Sequence, residues 1–580
     1  MATQNETGGA HGERGLDLGN LVDSIVESYR QMDMPVPQYL GFIILPSVIF
    51  FFLAFVAAIS LDVPLMVRLP IPLLGILILG SAAIYPKIQQ DQRRKSMEQR
   101  FHIYITHMTV LATTNIDRVE VFRRVASENE YGALAEETRR VVQLVDTWNQ
   151  SLDDACRMRA KKVPSKVVSD FFERLAYTIN SGEGLDVYLM GEQNVMIRNY
   201  ATVYESALDN LEVMKDLYLS MVLSVTFALV FATVLPILSG TNPTMTVSAV
   251  VVMYSFVQAG FLFAIYSIAP NDPLWYFPEN MTTRTERKLQ AGMAAGYLLS
   301  VVLVIATIAV LLGMTSIDPD SVPLPLYAAI PTTPLIIPGL VARGEEARVK
   351  DRDDEFTSFI RALGSSETAR QTTTTAVLKT LRTKDFGALS ENIDDLYKRL
   401  NLRVDAESSW RFFTGDAHSY LIQKFSEMYL IGRQMGGDPK HLGELISANM
   451  NEVNQLREQR EQATMTLIGV LYGITAAATF AFFIGLGIVD VLSGMTMGLD
   501  SSSSAFDFDS LIHTSVYDTQ VIEYLLVITV LVNSLLSSLI IRVVDGGHKV
   551  NSYMHFVVLT WVSSAIGVMT LELVGSLLSI

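Results

Sequence analysis

The sequence predicts an all-α, polytopic membrane protein with about nine transmembrane helices and two duplicated cytoplasmic helical domains. Three observations lead there. Half of the 580 residues are hydrophobic and 18% are charged, whereas a soluble domain carries about 25% charged residues. Apolar blocks of spanning length alternate with ordinary charged sequence, which divides the chain between bilayer and water. Finally, the octet EYGALAEE at 130–137 returns as DFGALSEN at 385–392, 255 positions on.

Residues 1–38 form an N-terminal cytoplasmic segment. Leu18, Leu21, Val22, Ile25, Val26 and Tyr29 make a helical stripe, so a short amphipathic helix is expected there. With two Arg against six acids and no small-residue cleavage site, the segment is not a secretory signal. Its acidic face suits docking on the protein's own cytoplasmic part better than on anionic lipid.

Residues 39–85 read as a transmembrane hairpin, with spans near 39–60 and 69–85. A polar stretch at 86–216 follows as the first cytoplasmic helical domain. Residues 217–341 hold four spans, near 217–238, 247–268, 291–312 and 323–341. Pro325, Pro331, Pro334 and Pro338 predict a kink in the last of these, as Pro70 and Pro72 do in the second span. The second cytoplasmic helical domain covers 342–463, and 464–580 carries three more spans, near 464–489, 521–541 and 553–578.

Direction follows from Lys and Arg, which are retained on the cytoplasmic side of short loops. With the N-terminus inside, the outer segments 61–68, 239–246, 313–322 and 490–520 contain Arg68 alone of the 44 basic residues. The opposite orientation would place all the others outside. A multi-pass protein of the cell (cytoplasmic) membrane is expected, N-terminus inside and C-terminus outside.

The two polar stretches align with each other. At an offset of 255, Phe101, Tyr131, Gly132, Ala133 and Leu134 meet Phe356, Phe386, Gly387, Ala388 and Leu389; one residue shorter, Phe171 meets Phe425 and Gly182 meets Gly436. Such a slip is what a loop deletion leaves in an internal duplication. Both copies read as helical throughout, and Gly marks a hairpin near the end of each, at INSGEG (179–184) and QMGGDPKHL (434–442). In the latter, Gly436 or Gly437 can take the left-handed position, Asp438 can cap and Pro439 suits the first helical turn. The last helix of each copy then enters a span without a breaker.

No phosphate-binding G-x-x-x-x-G-K-[ST], no H-E-x-x-H and no Cys/His cluster of zinc spacing occurs, and Cys156 is the single cysteine. No catalytic, cofactor-binding or metal residue is therefore named. Glu523 and Glu572 are the only acids in the spans, near predicted outer ends, and Gln258 and Asn533 are explained by an interhelical hydrogen bond. The basic runs Arg123–Arg124, Arg157–Lys162, Arg382–Lys384 and Lys398–Arg399 are either solvated helix faces or docking surface. Each polar stretch holds 18 basic and 20 acidic residues, which disfavours nucleic acid.

The phrases EYGALAEE, FFERLAYTINSGEGL, DFGALSEN and FSEMYLIGRQMGGDP, on two helical domains that each deliver a last helix into the membrane, resemble the archaeal type II secretion system F-domain membrane proteins. The arrangement of spans is similar to that of the assembly platform of the archaellum. The resemblance implies a non-enzymatic platform for a type IV pilus-like filament. Its implied partners are a cytoplasmic secretion-type ATPase, filament subunits (archaellins or pilins), the lipid bilayer and a second copy in a homodimer. Candidate ATPase-facing residues are Arg157, Arg159, Lys161, Lys162, Gly182 and Gly184 in the first copy. In the second they are Arg382, Lys384, Gly436, Gly437, Asp438 and Lys440. The platform of an adhesion pilus, and a polytopic transporter with regulatory cytoplasmic domains, stand as alternatives.

Overall fold

The computed structural model describes residues 39–60, 70–114, 116–278, 281–314, 316, 318, 321–499 and 519–578. The amphipathic helix expected within 1–38 lies outside them. Among the described residues every named element is helical, and strand pairing is limited to one antiparallel bridge, Trp275 to Ser419. In chain order the helices are α1 (Leu45–Ser60), α2 (Pro70–Ala112), α3 (Arg118–Ser127), α4 (Ala133–Asp146), α5 (Leu152–Ala160), α6 (Lys166–Ser181), α7 (Leu185–Val234), α8 (Pro243–Ile268) and α9 (Arg284–Leu311). There follow α10 (Leu324–Thr332), α11 (Ile336–Arg370), α12 (Thr374–Leu381), α13 (Ser390–Asn401), α14 (Ala406–Ala417), α15 (Tyr420–Gln434), α16 (Pro439–Leu499), α17 (Thr519–Asp545) and α18 (Ser552–Leu578).

Seven helical segments among the described residues are long and apolar enough to cross a membrane: α7, α8, α9, Leu324–Arg370, α16, α17 and α18. They coincide with the last seven expected spans. The first two expected spans fall on α1 and the beginning of α2, and residues 61–69 between them lie outside the described residues. Before α1 the chain makes a π-helical turn, Leu40–Ile44, which runs directly into the 16 residues of α1. The second expected span is the apolar beginning of α2, which turns polar beyond Tyr85. The expected proline kink is present: α10 gives way to a 3₁₀ turn, Thr333–Leu335, before α11 begins. Meanwhile α16 continues to Leu499, past the expected end at 489.

The chain divides into two compact units, Met1–Met108 with Asp117–Leu189, and Thr109–Ile116 with Met190–Ile580. In the first, Phe101, Tyr104, Phe122, Tyr131, Phe171 and Phe172 are buried together. Rings that meet edge to face satisfy their quadrupoles, as Phe101 does on Phe171 at 5.3 Å between centroids. The polar ends are paired as well: the Tyr104 hydroxyl lies 2.7 Å from Thr138 Oγ1, and Tyr131 Oη 3.0 Å from His107 Nδ1.

The second unit repeats this plan and adds the membrane bundle. Tyr104 and Tyr131 pack edge to face at 5.6 Å and 87°; their matches at offset 255, Phe359 and Phe386, do so at 5.6 Å and 86°. Gly132 and Gly387 share positive φ (55° and 49°), as do Gly182 and Gly436 (80° and 84°) and the non-glycine pair Asn149 and Arg403 (53° and 59°). Ser165 caps α6 by accepting from the Val168 amide and donates to Glu98. Ser419, its match, caps α15 at Ile422 and donates to Asp353, the match of Glu98. Positions that force a turn or a cap have thus kept their geometry while the sequences diverged.

Within the bundle, α7, α8, α16 and α17 bury a continuous apolar core that includes Tyr218, Leu229, Tyr254, Leu471, Phe482 and Leu526. Small residues let backbones approach where lipid supplies no hydrophobic drive: Gly292 and Gly296 of α9 lie against Val341, Pro338 and Pro334, and a Cβ on Gly296 would overlap the Pro338 ring. Gln258 and Asn533 are joined as expected. The Gln258 amide donates to Asn533 Oδ1, which also accepts from Tyr254 at 2.9 Å, while Asn533 Nδ2 donates to Thr475 at 3.3 Å.

Candidate functional site: hairpins, basic runs and exposed apolar tips

The second-copy hairpin is built by its glycines. Helix α15 ends with Gly436 left-handed at φ 84°; its N–H donates to Arg433 O at 3.2 Å and the Gly437 N–H to Gly432 O at 2.8 Å. This pair of bonds is the Schellman closure, which satisfies two otherwise orphaned carbonyls. Asp438 then caps α16 by accepting from the His441 amide at 3.3 Å, and its other oxygen accepts from Thr368 at 3.0 Å. Thr368 Oγ1 in turn accepts from the Lys440 amide at 3.0 Å, so the hairpin is tied to the C-terminal end of α11. Gly436, Asp438 and Lys440 are exposed; Gly437 is buried, where a Cβ would press on Gly432 O and Leu442.

In the first copy Gly182 closes α6 at φ 80°, with its N–H on Ile179 O at 3.2 Å and open space where a Cβ would stand. Gly184 has no positive φ, and a Cβ there would meet only the Asp186 carboxylate and Val187. The basic run Arg157, Arg159, Lys161 and Lys162 lies at the other end of α6. Sixteen helical residues separate the two features, about 24 Å, so they are not one surface.

That run is itself divided. Arg157 is exposed near Asp154 (3.6 Å) and Asp153 (4.0 Å), and Lys161 and Lys162 are exposed at the end of α5. Arg159 points inward, its side chain 12% exposed, and holds the buried Glu137, donating from Nε at 3.0 Å; Arg140 (2.8 Å) and Arg93 (3.6 Å) complete the cage. Leaving a buried carboxylate without such partners is costly, so Arg159 is a structural residue here and not a surface one. Elsewhere in the unit Arg123, hydrogen-bonded to Asp146 at 2.7 Å, holds that carboxyl below its usual range.

In the second copy Arg382 pairs with Asp394 at 3.1 Å and lies 4.3 Å from the centroid of the Tyr397 ring, while Lys384 is exposed. Lys398 bonds Asp394 and Asp395, which push it up to about 12. Arg399 bonds Asp416 at 2.9 Å. Among the described residues no group of three or more His, Cys, Asp or Glu is placed to hold a metal ion.

One feature escaped the sequence reading. Trp148 and Leu402, matched at offset 254, are 72% and 77% exposed. Each immediately precedes the left-handed non-glycine residue of its loop, Asn149 or Arg403, and then a helix cap, Ser151 or Asp405. A large apolar side chain held out by the same turn in both copies is not needed for either core. The signal was present in the repeat, where an apolar residue stands in each of two polar loops, DTWNQS and NLRVD.

Comparison with known proteins bears on what such surfaces serve. The family profile for type II secretion system (T2SS), protein F, matches residues 104–233, which run from the interior of α2 to the membrane end of α7. The chain is 34% identical over 513 residues to flagella accessory protein J of Methanocaldococcus jannaschii, covering 88% of this chain and 90% of that one. To the flagella accessory protein J of Methanococcus voltae it is 33% identical over 515 residues, covering 88% and 91%. No solved structure matches the chain.

Proposed function

Because the chain belongs to the flagella accessory protein J family, we propose that it is the multi-pass membrane platform on which a type IV pilus-like filament, the archaellum, is assembled. It couples a cytoplasmic secretion-type ATPase to the insertion of filament subunits. The observation that carries this reading is similarity along nine-tenths of both chains to proteins named for the flagellum. Two helices that begin in polar sequence and end in apolar sequence support it. Helix α7 runs unbroken for 50 residues and α16 for 61, and an α-helix of that length carries displacement along its axis without a hinge.

In this reading residues 86–216 and 342–463 lie on the cytoplasmic side with the N-terminus, and the C-terminus lies outside. The working unit is a homodimer. The ATPase meets the exposed members of the hairpins and basic runs: Arg157, Lys161, Lys162 and Gly182 in one copy, and Arg382, Lys384, Gly436, Asp438 and Lys440 in the other. Trp148 and Leu402 are the apolar anchors, since a few large side chains entering partner pockets carry most of an interface's free energy.

Deletion of the gene tests the platform. Surface filaments and swimming disappear while subunit synthesis continues; cells that still carry normal filaments refute it. Alanine at Trp148 and Leu402 tests the contact. Recovery of the ATPase with the purified platform falls at least about tenfold, as loss of a hot-spot side chain entails, and undiminished recovery removes these residues from the interface.

A further inference from the structure

We propose that Arg457 positions a further joint in the platform: a clasp that ties the loop between α8 and α9, two membrane helices, to the second polar stretch. The proposal rests on the platform reading above. Helices α11 and α16 are the covalent joints, each running between a membrane span and the second polar stretch. The clasp lies beside them, on residues far apart in the chain.

Arg457, on α16, spends its guanidinium on three acceptors. Its Nε and Nη2 donate to Asp272 Oδ2 (2.6 Å) and Oδ1 (3.0 Å), a bidentate pair on the α8–α9 loop. Nη2 also reaches Pro273 O at 3.1 Å, and Nη1 reaches Asp353 Oδ2 of α11 at 2.8 Å. The other Asp353 oxygen accepts from Ser419, the cap of α15. Backbone bonds continue the attachment: the Tyr276 amide donates to His418 O at 2.9 Å and the Tyr420 amide to Leu274 O at 3.0 Å, forming the one β-bridge among the described residues. Beyond it Trp275 stacks on Phe277 and meets the His548 ring, which belongs to the loop between membrane helices α17 and α18; Glu346 of α11 accepts from the His548 amide at 2.9 Å. Two loops that connect membrane helices are thereby fastened to α11 and to the turn between α14 and α15.

The repeat separates this device from ordinary packing. The first copy keeps the acid and the capping serine, as Glu98 and Ser165, but the match of Arg457 at offset 254 is Val203. The domain plan therefore folds without an arginine at this position. Withdrawing a guanidinium, the Asp272 carboxylate and the Asp353 carboxyl from water is costly, and a buried ion pair gives little net stability over apolar packing; its clearest use is to impose one geometry. A rigid, bidentate, charge-assisted fork does so. With the clasp closed, a displacement of the second polar stretch reaches α8, α9, α17 and α18 together with α16. With it open, the stretch stays joined to the membrane through α11 and α16 but no longer through the two loops.

The full chain in lipid nanodiscs and the same variants in cells test the proposal. Arg457→Gln speeds hydrogen–deuterium exchange at the Tyr276 and Tyr420 amides by roughly tenfold or more, leaving the core of the first unit unchanged. Cells holding the variant at parental membrane levels carry about tenfold fewer filaments, and Arg457→Lys, which keeps the charge without the fork, falls between. Unchanged exchange overturns the clasp, and faster exchange with parental filament density overturns its role in coupling. Should Arg457→Gln be lost from the membrane, Asp272→Asn is read in the same two assays, because it frees the loop while the Arg457–Asp353 pair remains. Failure of the platform reading is seen separately, as filaments on cells lacking the chain altogether.

Discussion

Replacing Phe171 by alanine should open the first unit and leave the second closed. Phe171 is fully buried, with ring centroids of Phe101, Phe172 and Tyr188 at 5.3, 5.7 and 6.3 Å. Truncating such a ring removes its transfer free energy and leaves a cavity, together about 3–5 kcal/mol. Cys156 reports the result. It is the single cysteine of the chain, fully buried in the same unit, with its thiol pushed up by burial. In the folded unit it is protected both from contact with reagent and from ionisation, so a maleimide reaches it only through opening. A loss of about 4 kcal/mol, at about 1.36 kcal/mol per decade, raises the labelling rate of purified protein about a thousandfold. Phe425, the matched residue, is equally buried but lies in the other unit, so Phe425→Ala leaves Cys156 labelling at the parental rate. A rise below about tenfold for Phe171→Ala, or equal rises for both variants, would refute the reasoning.

The same labelling assay separates two neighbours in one basic run. Arg159→Ala strips a partner from buried Glu137 and costs about 2 kcal/mol, because Arg140 and Arg93 remain, whereas Arg157→Ala stays within about 0.5 kcal/mol. Gly182→Ala and Gly436→Ala each cost about 1–2 kcal/mol through left-handed backbone alone, and asparagine costs less; thermal unfolding of the variants gives the ranking. Burial pushes Asp353 from 3.8 up to about 7 despite the opposing pull of Arg457, so the folded protein holds this proton more tightly than the unfolded chain. Its contribution to stability is therefore lost as pH rises through that window and is constant above it. Unfolding midpoints in nanodiscs at about pH 5 and about pH 7.5 should fall further apart in the parent than in Asp353→Asn, and equal differences would contradict the assignment.

Chemistry that acts over a few residues, or that repeats along the chain, can be read without the fold. Helical periodicity, the left-handed glycine of the α15 hairpin, the Asp438 cap and the Pro439 start were legible because each depends on neighbours within one or two turns. The duplication was legible because matched turns need matched glycines. The last seven spans were legible from apolar length, which over about 20 residues needs no knowledge of distant neighbours. Which charges are buried, by contrast, depends on the packed fold. Arg157 and Arg159 differ by two positions, yet one faces solvent and the other Glu137, 22 residues earlier. Arg457 meets Asp272 across 185 residues. Spacing carries no trace of such a contact: whether an arginine is solvated or desolvated depends on which distant segment the packed helices bring against it, and that is settled by the fold as a whole.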